Sequence, residues 1–155
     1  MSAGYQVKTI RLESGERLPL LLSQETGVPV WEVTLFILTA LRSTCLATNT
    51  IAHAARGVMV GLQIFRYLGI DLNQRLEQGK LLSLSEVDEL AKLAGLKQEE
   101  LDALLGDKKK LQAASRVVSL ERARMRSPSK ALKHVESETK AARLIYIRKY
   151  IEWLS

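Results

Sequence analysis

The stretch TNTIAHAARGVMVGLQIFRYLG, Thr48 to Gly69, decides the fold class of this chain. Ile51, Ala54, Ala55, Val58, Leu62, Phe65 and Leu68 recur three and four residues apart, the spacing of one helical face that needs a core. Thr48, Asn49 and Thr50 are types that cap helix N-termini, and Gly69 is the type that ends a helix in a left-handed turn. A helix from this cap to Leu68 is therefore expected. Gly57 and Gly61, on an adjoining face, are expected to let a neighbouring helix approach closely.

On the N-terminal side, YQVKTIRL (Tyr5 to Leu12) alternates apolar and polar residues, Glu13-Ser14-Gly15-Glu16 supplies a turn, and RLPLLLS follows, with Pro19 restricting it to a sheet edge. Residues 1–28 thus read as a β-hairpin extension. A helix from about Glu32 to Ser43 follows, with Val33, Phe36, Ile37, Ala40 and Leu41 on one face. On the C-terminal side, Asp71 caps a short helix to Glu77, and Ser83 or Ser85 caps another that runs through Ala94 to Gly95. Gln98 to Leu105 forms one more before Gly106. Residues 108–136 read as a basic connector with some helix, because they hold few large apolar side chains. The closing stretch SETKAARLIYIRKYIEWLS, Ser137 to Ser155, is a helix capped by Ser137 or Thr139. Its stripe is Leu144, Ile147, Ile151 and Leu154, and Lys140 and Arg143 lie outside it. The fold class is mainly α, a helical bundle over residues 29–155 preceded by a short N-terminal β-hairpin.

Composition narrows the function. The chain has 155 residues, 46% apolar, enough for a core. Its longest apolar run, Val33 to Leu41, is far short of a membrane span, and no signal peptide is visible at the start, so the cytoplasm is the expected location. The single cysteine, Cys45, is expected to be a buried small hydrophobe. Charge is uneven: residues 1–107 carry ten Lys/Arg against thirteen Asp/Glu, a net −3, while residues 108–155 carry thirteen against four, a net +9. Such an excess repels itself unless an anionic partner offsets it, which favours nucleic acid over a merely solvated face or a membrane surface. The sequence contains no Gly-rich phosphate loop, no Cys/His metal spacing and no Gly-x-Ser-x-Gly elbow. No cofactor, metal or small-molecule substrate is expected, and the carboxylate pairs Asp88-Glu89 and Glu99-Glu100 read as solvated helix faces.

TNTIAHAARGVMVGLQIFRYLGIDLNQRLEQGKLLS and SETKAARLIYIRKYIEWLS together resemble the N-terminal, SAM-like core-binding region of tyrosine recombinases of the phage-integrase type. The likeness lies in the Thr-started helix, its aliphatic stripe, and the aromatic ends Ile64-Phe65-Arg66-Tyr67-Leu68 and Tyr150-Ile151-Glu152-Trp153-Leu154. The Gly15-Glu16-Arg17 turn before the first helix and Gly69 to Leu72 after the second add to it. The resemblance implies a helical bundle that clamps one side of duplex DNA for integration and recombination, beside other protomers in a possible tetramer, and joined by a linker to a catalytic domain. That domain is not in this sequence, and the end of the last helix is expected to lead toward it.

The family's chemistry uses an Arg, a Lys, a late His-x-x-Arg box and a Tyr nucleophile. His53-Ala54-Ala55-Arg56 has the letters of the box without its context, and Tyr5, Tyr67, Tyr146 and Tyr150 are not in a nucleophile's setting. The chain therefore reads as non-catalytic. Contacts to phosphate are expected at the helix starts, Thr48 to Thr50 and Ser137 to Thr139, and base reading at Asn49, His53, Arg56, Lys140 and Arg143. The other reading is a helical adaptor whose basic tail binds an acidic protein or an RNA surface.

Overall fold

The computed structural model describes residues 4–114 and 132–155, and side chains outside 109–114. Its architecture is mainly helical behind a two-stranded antiparallel hairpin. Strands β1 (Tyr5–Arg11) and β2 (Arg17–Ser23) pair with Val7 opposite Leu21 and Thr9 opposite Pro19. Gly15, at φ 85°, turns the connection. The helices are α1 (Trp31–Phe36), α2 (Thr48–Leu68), α3 (Leu72–Glu77), α4 (Leu84–Ala94), α5 (Gln98–Ala114) and α6 (Ser137–Leu154). Among the described residues no helix is long and apolar enough to cross a membrane.

Helix α2 lies at the centre, which its sequence shows only in part. The expected face is there: Ile51, Ala54, Ala55 and Val58 join Leu18, Leu20, Leu21, Leu22, Phe36, Ile37 and Tyr150 in one core. A second face is buried as well. Val60 and Ile64, with Phe65 from the end of the expected stripe, pack with Leu90, Ala94, Leu96, Leu101 and Ile147 in another core formed by α4, α5 and α6. The hairpin shares the first core, with β2 buried from Leu18 to Leu22.

Gly57 and Gly61 mark where α6 crosses. A Cβ at Gly57 would lie 3.1 Å from Tyr146 Cβ, and one at Gly61 only 2.7 Å from Ile147 Cγ1. Two glycines four apart thus bring the helix backbones together, as their spacing implied. The apolar side of α6 is broader than the expected stripe. Ile147 and Tyr150 are buried, while Leu144, Ile151 and Leu154 are half-buried. Tyr150 sits edge-on to Phe36 with ring centroids 5.4 Å apart, Trp153 lies 5.7 Å from the same ring, and the Trp153 indole N–H donates to Thr39 Oγ1 at 3.1 Å. The aromatic end of α6 is therefore an internal anchor. Burial, then the nearby Glu32 charge, pushes the Tyr150 phenol well above its ordinary value.

Several expectations are corrected. The helix expected over 32–43 is regular only to Phe36, then widens into a π-helical turn over Ile37–Leu41 and tightens into a 3-10 turn over Arg42–Thr44. Hydroxyls that bond back four residues, Thr39 to Leu35 O and Ser43 to Thr39 O, accompany this irregularity. Cys45 is exposed, because it ends that turn in a left-handed conformation at φ 56°. Helix α5 runs through Gly106 to Ala114, so the connector begins as helix. One glycine costs a helix only about 1 kcal/mol, and the Lys, Leu, Gln and Ala that follow are good helix formers. The rest of the expected connector up to residue 131 lies outside the described residues. Its far end docks back, with Val135 N–H on Gly95 O at 2.8 Å. The caps also move. Ala47 and Glu136 occupy the N-cap positions of α2 and α6 without a side-chain bond, so Thr48 to Thr50 and Ser137 to Thr139 are first-turn residues. By contrast, Asp71 and Ser83 cap α3 and α4 as expected, Ser83 in a reciprocal box with Glu86.

Glu86 also takes a two-pronged bond from Arg75 at 2.7 and 3.1 Å, which with the Ser83 amide holds its carboxyl down to about 2. A carboxyl depressed in the folded state contributes stability above its unfolded value near 4.3, and that contribution is lost as pH falls toward 2. The melting temperature should therefore drop between about pH 4.5 and 2 by more in the native chain than in Glu86→Gln. Parallel curves would show that this pair contributes nothing.

Candidate nucleic-acid interface

A cleft of about 960 Å³ runs along a face of α2 that borders the second core at Val60, flanked by β1, α5 and α6. Its row on α2 is Thr50, His53, Arg56, Val60, Gln63 and Arg66, three or four residues apart, on the side away from the apolar stripe. His53 and Arg56 are exposed, and among the described residues Arg56 has no ion-pair partner. Lys108 enters from α5, donating to Tyr67 O, with its ammonium 4.9 Å from the Tyr67 ring centre. The described residues of the lining include four cations, Arg56, Arg66, Lys108 and Arg143, against one carboxylate, Asp102. Low-dielectric walls concentrate the field of such an uneven set, so the cleft attracts anions.

Five of the nine residues expected to touch DNA meet here: Thr50, His53, Arg56, Thr139 and Arg143. The other four are not in the lining. Thr48 is half-buried, its hydroxyl donating to Arg17 O at 3.4 Å, while Asn49 and Ser137 are exposed away from the cleft. The Lys140 stem lies over Gly95, where a Cβ would come within 3.3 Å of Lys140 Cδ.

Arg143 was expected to be an outward base reader, and instead its Nη1 donates to Ala94 O at 3.0 Å and Leu96 O at 2.7 Å. It closes the C-terminal end of α4, where a cation suits the helix dipole. Burial lowers its pKa without making it neutral at ordinary pH. Arg143→Ala should cost about 2 kcal/mol in urea unfolding, because two partly buried carbonyls lose a charged donor. An unchanged midpoint would mean that water satisfies them equally well.

Arg66, Lys108, Gln63, Gln98 and Asp102 were not singled out from the sequence. Arg66 and Gln63 continue the His53–Arg56 row and were readable from it. Gln98, Asp102 and Lys108 come from α5 and join only when that helix packs on α2. Gln63, at 2% exposure, is the one buried polar residue among the described residues. Its carbonyl accepts from Gln98 Nε2 at 2.7 Å, and its own amide donates to Asp102 Oδ1 at 3.3 Å. Gln98 Nε2 also donates to Asp102 Oδ1, at 3.0 Å. Among the described residues no cluster of three His, Cys, Asp or Glu is placed to hold a metal ion. No family model, curated protein or solved structure matches this chain.

Proposed function

We propose that this chain is a DNA-binding module of tyrosine-recombinase type, which holds duplex DNA against the cleft face of α2 and works beside other protomers on DNA. The observation that carries the reading is the charge of the cleft, four cations to one carboxylate among its described lining residues. The start of α2 supports it. Its first turn holds neither a side-chain cap nor an acidic residue, and Thr50 of that turn lines the cleft, leaving backbone N–H groups and a hydroxyl available to phosphate. Arg56, Arg66 and Lys108 would neutralise phosphates, and His53 lies in the same row, while Arg143 adds its field from within the fold. The chain binds in this reading and leaves strand cleavage to other residues.

Fluorescence anisotropy with a labelled duplex at low salt tests this directly. Binding should weaken as salt rises, with a log–log slope of roughly −3 for three to four neutralised phosphates. A second reading, a protein-interaction module, is favoured by Leu81, Leu84 and Val87, apolar and exposed around the start of α4. Absence of duplex binding, or binding that an acidic protein competes away equally well, would favour it instead.

A further inference from the structure

We propose that Asp102 and Gln98 read a cytosine through its exocyclic amine, with Gln63 as the positioning residue behind them. The inference rests on the cleft holding duplex DNA, and it names what one wall of that cleft recognises.

Gln98 Nε2 has two hydrogens, and both are engaged, one by Gln63 Oε1 and one by Asp102 Oδ1. The Gln63 amide is turned to the same carboxylate oxygen. What remains among the described residues is Asp102 Oδ2 and Gln98 Oε1, neither of which has a protein partner there, and no buried polar side-chain atom is left unsatisfied. The second Gln63 amide hydrogen belongs to a side chain only 2% exposed, so what the wall presents to the cleft is acceptors. A carboxylate repels phosphate, so in a cleft that is otherwise cationic this is the spot a backbone oxygen avoids and a hydrogen-bond donor seeks.

In the major groove, guanine shows two acceptors and thymine one, and an acceptor-only wall rejects both. Adenine's amine lies beside its N7 acceptor, and the usual amide pairing with adenine needs a free glutamine N–H₂, which Gln98 does not have. Cytosine shows N4–H₂ alone, the group that Asp and Glu side chains accept from. The buried Gln63 touches no base. Its part is to fix Asp102 Oδ1 and the Gln98 amide, which leaves Asp102 Oδ2 and Gln98 Oε1 as the acceptors of that wall.

Selection of bound sequences from randomised duplexes, using the full chain, tests the proposal. The native protein should enrich cytosine at one position. Asp102→Asn should flatten that position and leave the others unchanged, and Asp102→Arg should switch it to guanine, an outcome that loss of structure cannot mimic. A test on the native protein needs no variant. Within a selected duplex, 5-methylcytosine paired with guanine should bind like cytosine, whereas thymine paired with adenine, which keeps the methyl group and lacks the amine, should bind on the order of tenfold more weakly. Equal binding of those two duplexes, or the same selected sequence with Asp102→Asn, overturns the proposal while leaving DNA binding intact. No binding to any duplex at low salt overturns both this and the function it rests on.

Discussion

Gly61→Val is expected to lower the unfolding free energy by about 3 kcal/mol or more, enough to leave a domain of ordinary stability close to unfolding. A Cβ there would sit 2.7 Å from Ile147 Cγ1, and Ile147 is buried, so it cannot simply swing into solvent. Either α6 lifts from α2, opening both cores, or the side chains take strained rotamers. Ile147→Ala alone leaves a cavity and costs about 2–5 kcal/mol, yet in the same chain as Gly61→Val it removes the clash. The two changes should therefore couple, the double variant being more stable than the sum of the singles by 1 kcal/mol or more, roughly. Simple additivity would mean that α6 does not cross at Gly61. Gly57→Ala makes a useful contrast. Its nearest contact would be 3.1 Å, and the helical gain of about 1 kcal/mol from alanine offsets part of the crowding.

Reversing charge in the cleft is expected to have the largest effect on binding. Arg56→Glu combined with Arg66→Glu should weaken duplex binding by roughly a hundredfold at low salt and flatten the salt dependence by about two units of slope, since two phosphates lose their counter-charge. Both residues are exposed on the surface of α2, so circular dichroism should remain native. Glutamates at Arg148 and Lys149, exposed on α6 outside the cleft lining, serve as the matched control and should change affinity far less. Equal losses from the two pairs would mean that net charge, and not the cleft, drives association.

Periodicity made the hairpin, α2, α3 and α4 readable, because each has an apolar pattern bounded by a turn or capping residue. It failed where a second neighbour decided the outcome. Val60 and Ile64 lie off the first stripe of α2, yet α4, α5 and α6 bury them. Tyr150 lies beside the expected stripe of α6 and is drawn inward by Phe36. Gly106 resembles a helix stop but is only a weak point in a strong helical run. The candidate site divides the same way. His53 and Arg56 follow from the helical complement of the α2 stripe, and Arg66 continues it. No pattern in sequence marks Asp102 as the neighbour of Gln63, since that pairing exists only after α5 has packed. Arg143 shows the opposite error: a basic residue outside an apolar stripe looks like a surface contact, although the nearest unsatisfied groups are the carbonyls ending α4.

The crossing of α6 over α2 also sets the order in which the molecule can be assembled. Hairpin, α1 and α2 lie within the first 68 residues and can meet through short loops, whereas the partners of Gly57 and Gly61 are Tyr146 and Ile147. Closing so long a loop is slow, so the nascent chain carries Val58, Ile64 and Phe36 partly uncovered until residues 137–154 have left the ribosome. A pause in translation before that point would prolong exposure of the apolar surface, and the last helix then acts as the step that commits the chain to its native state.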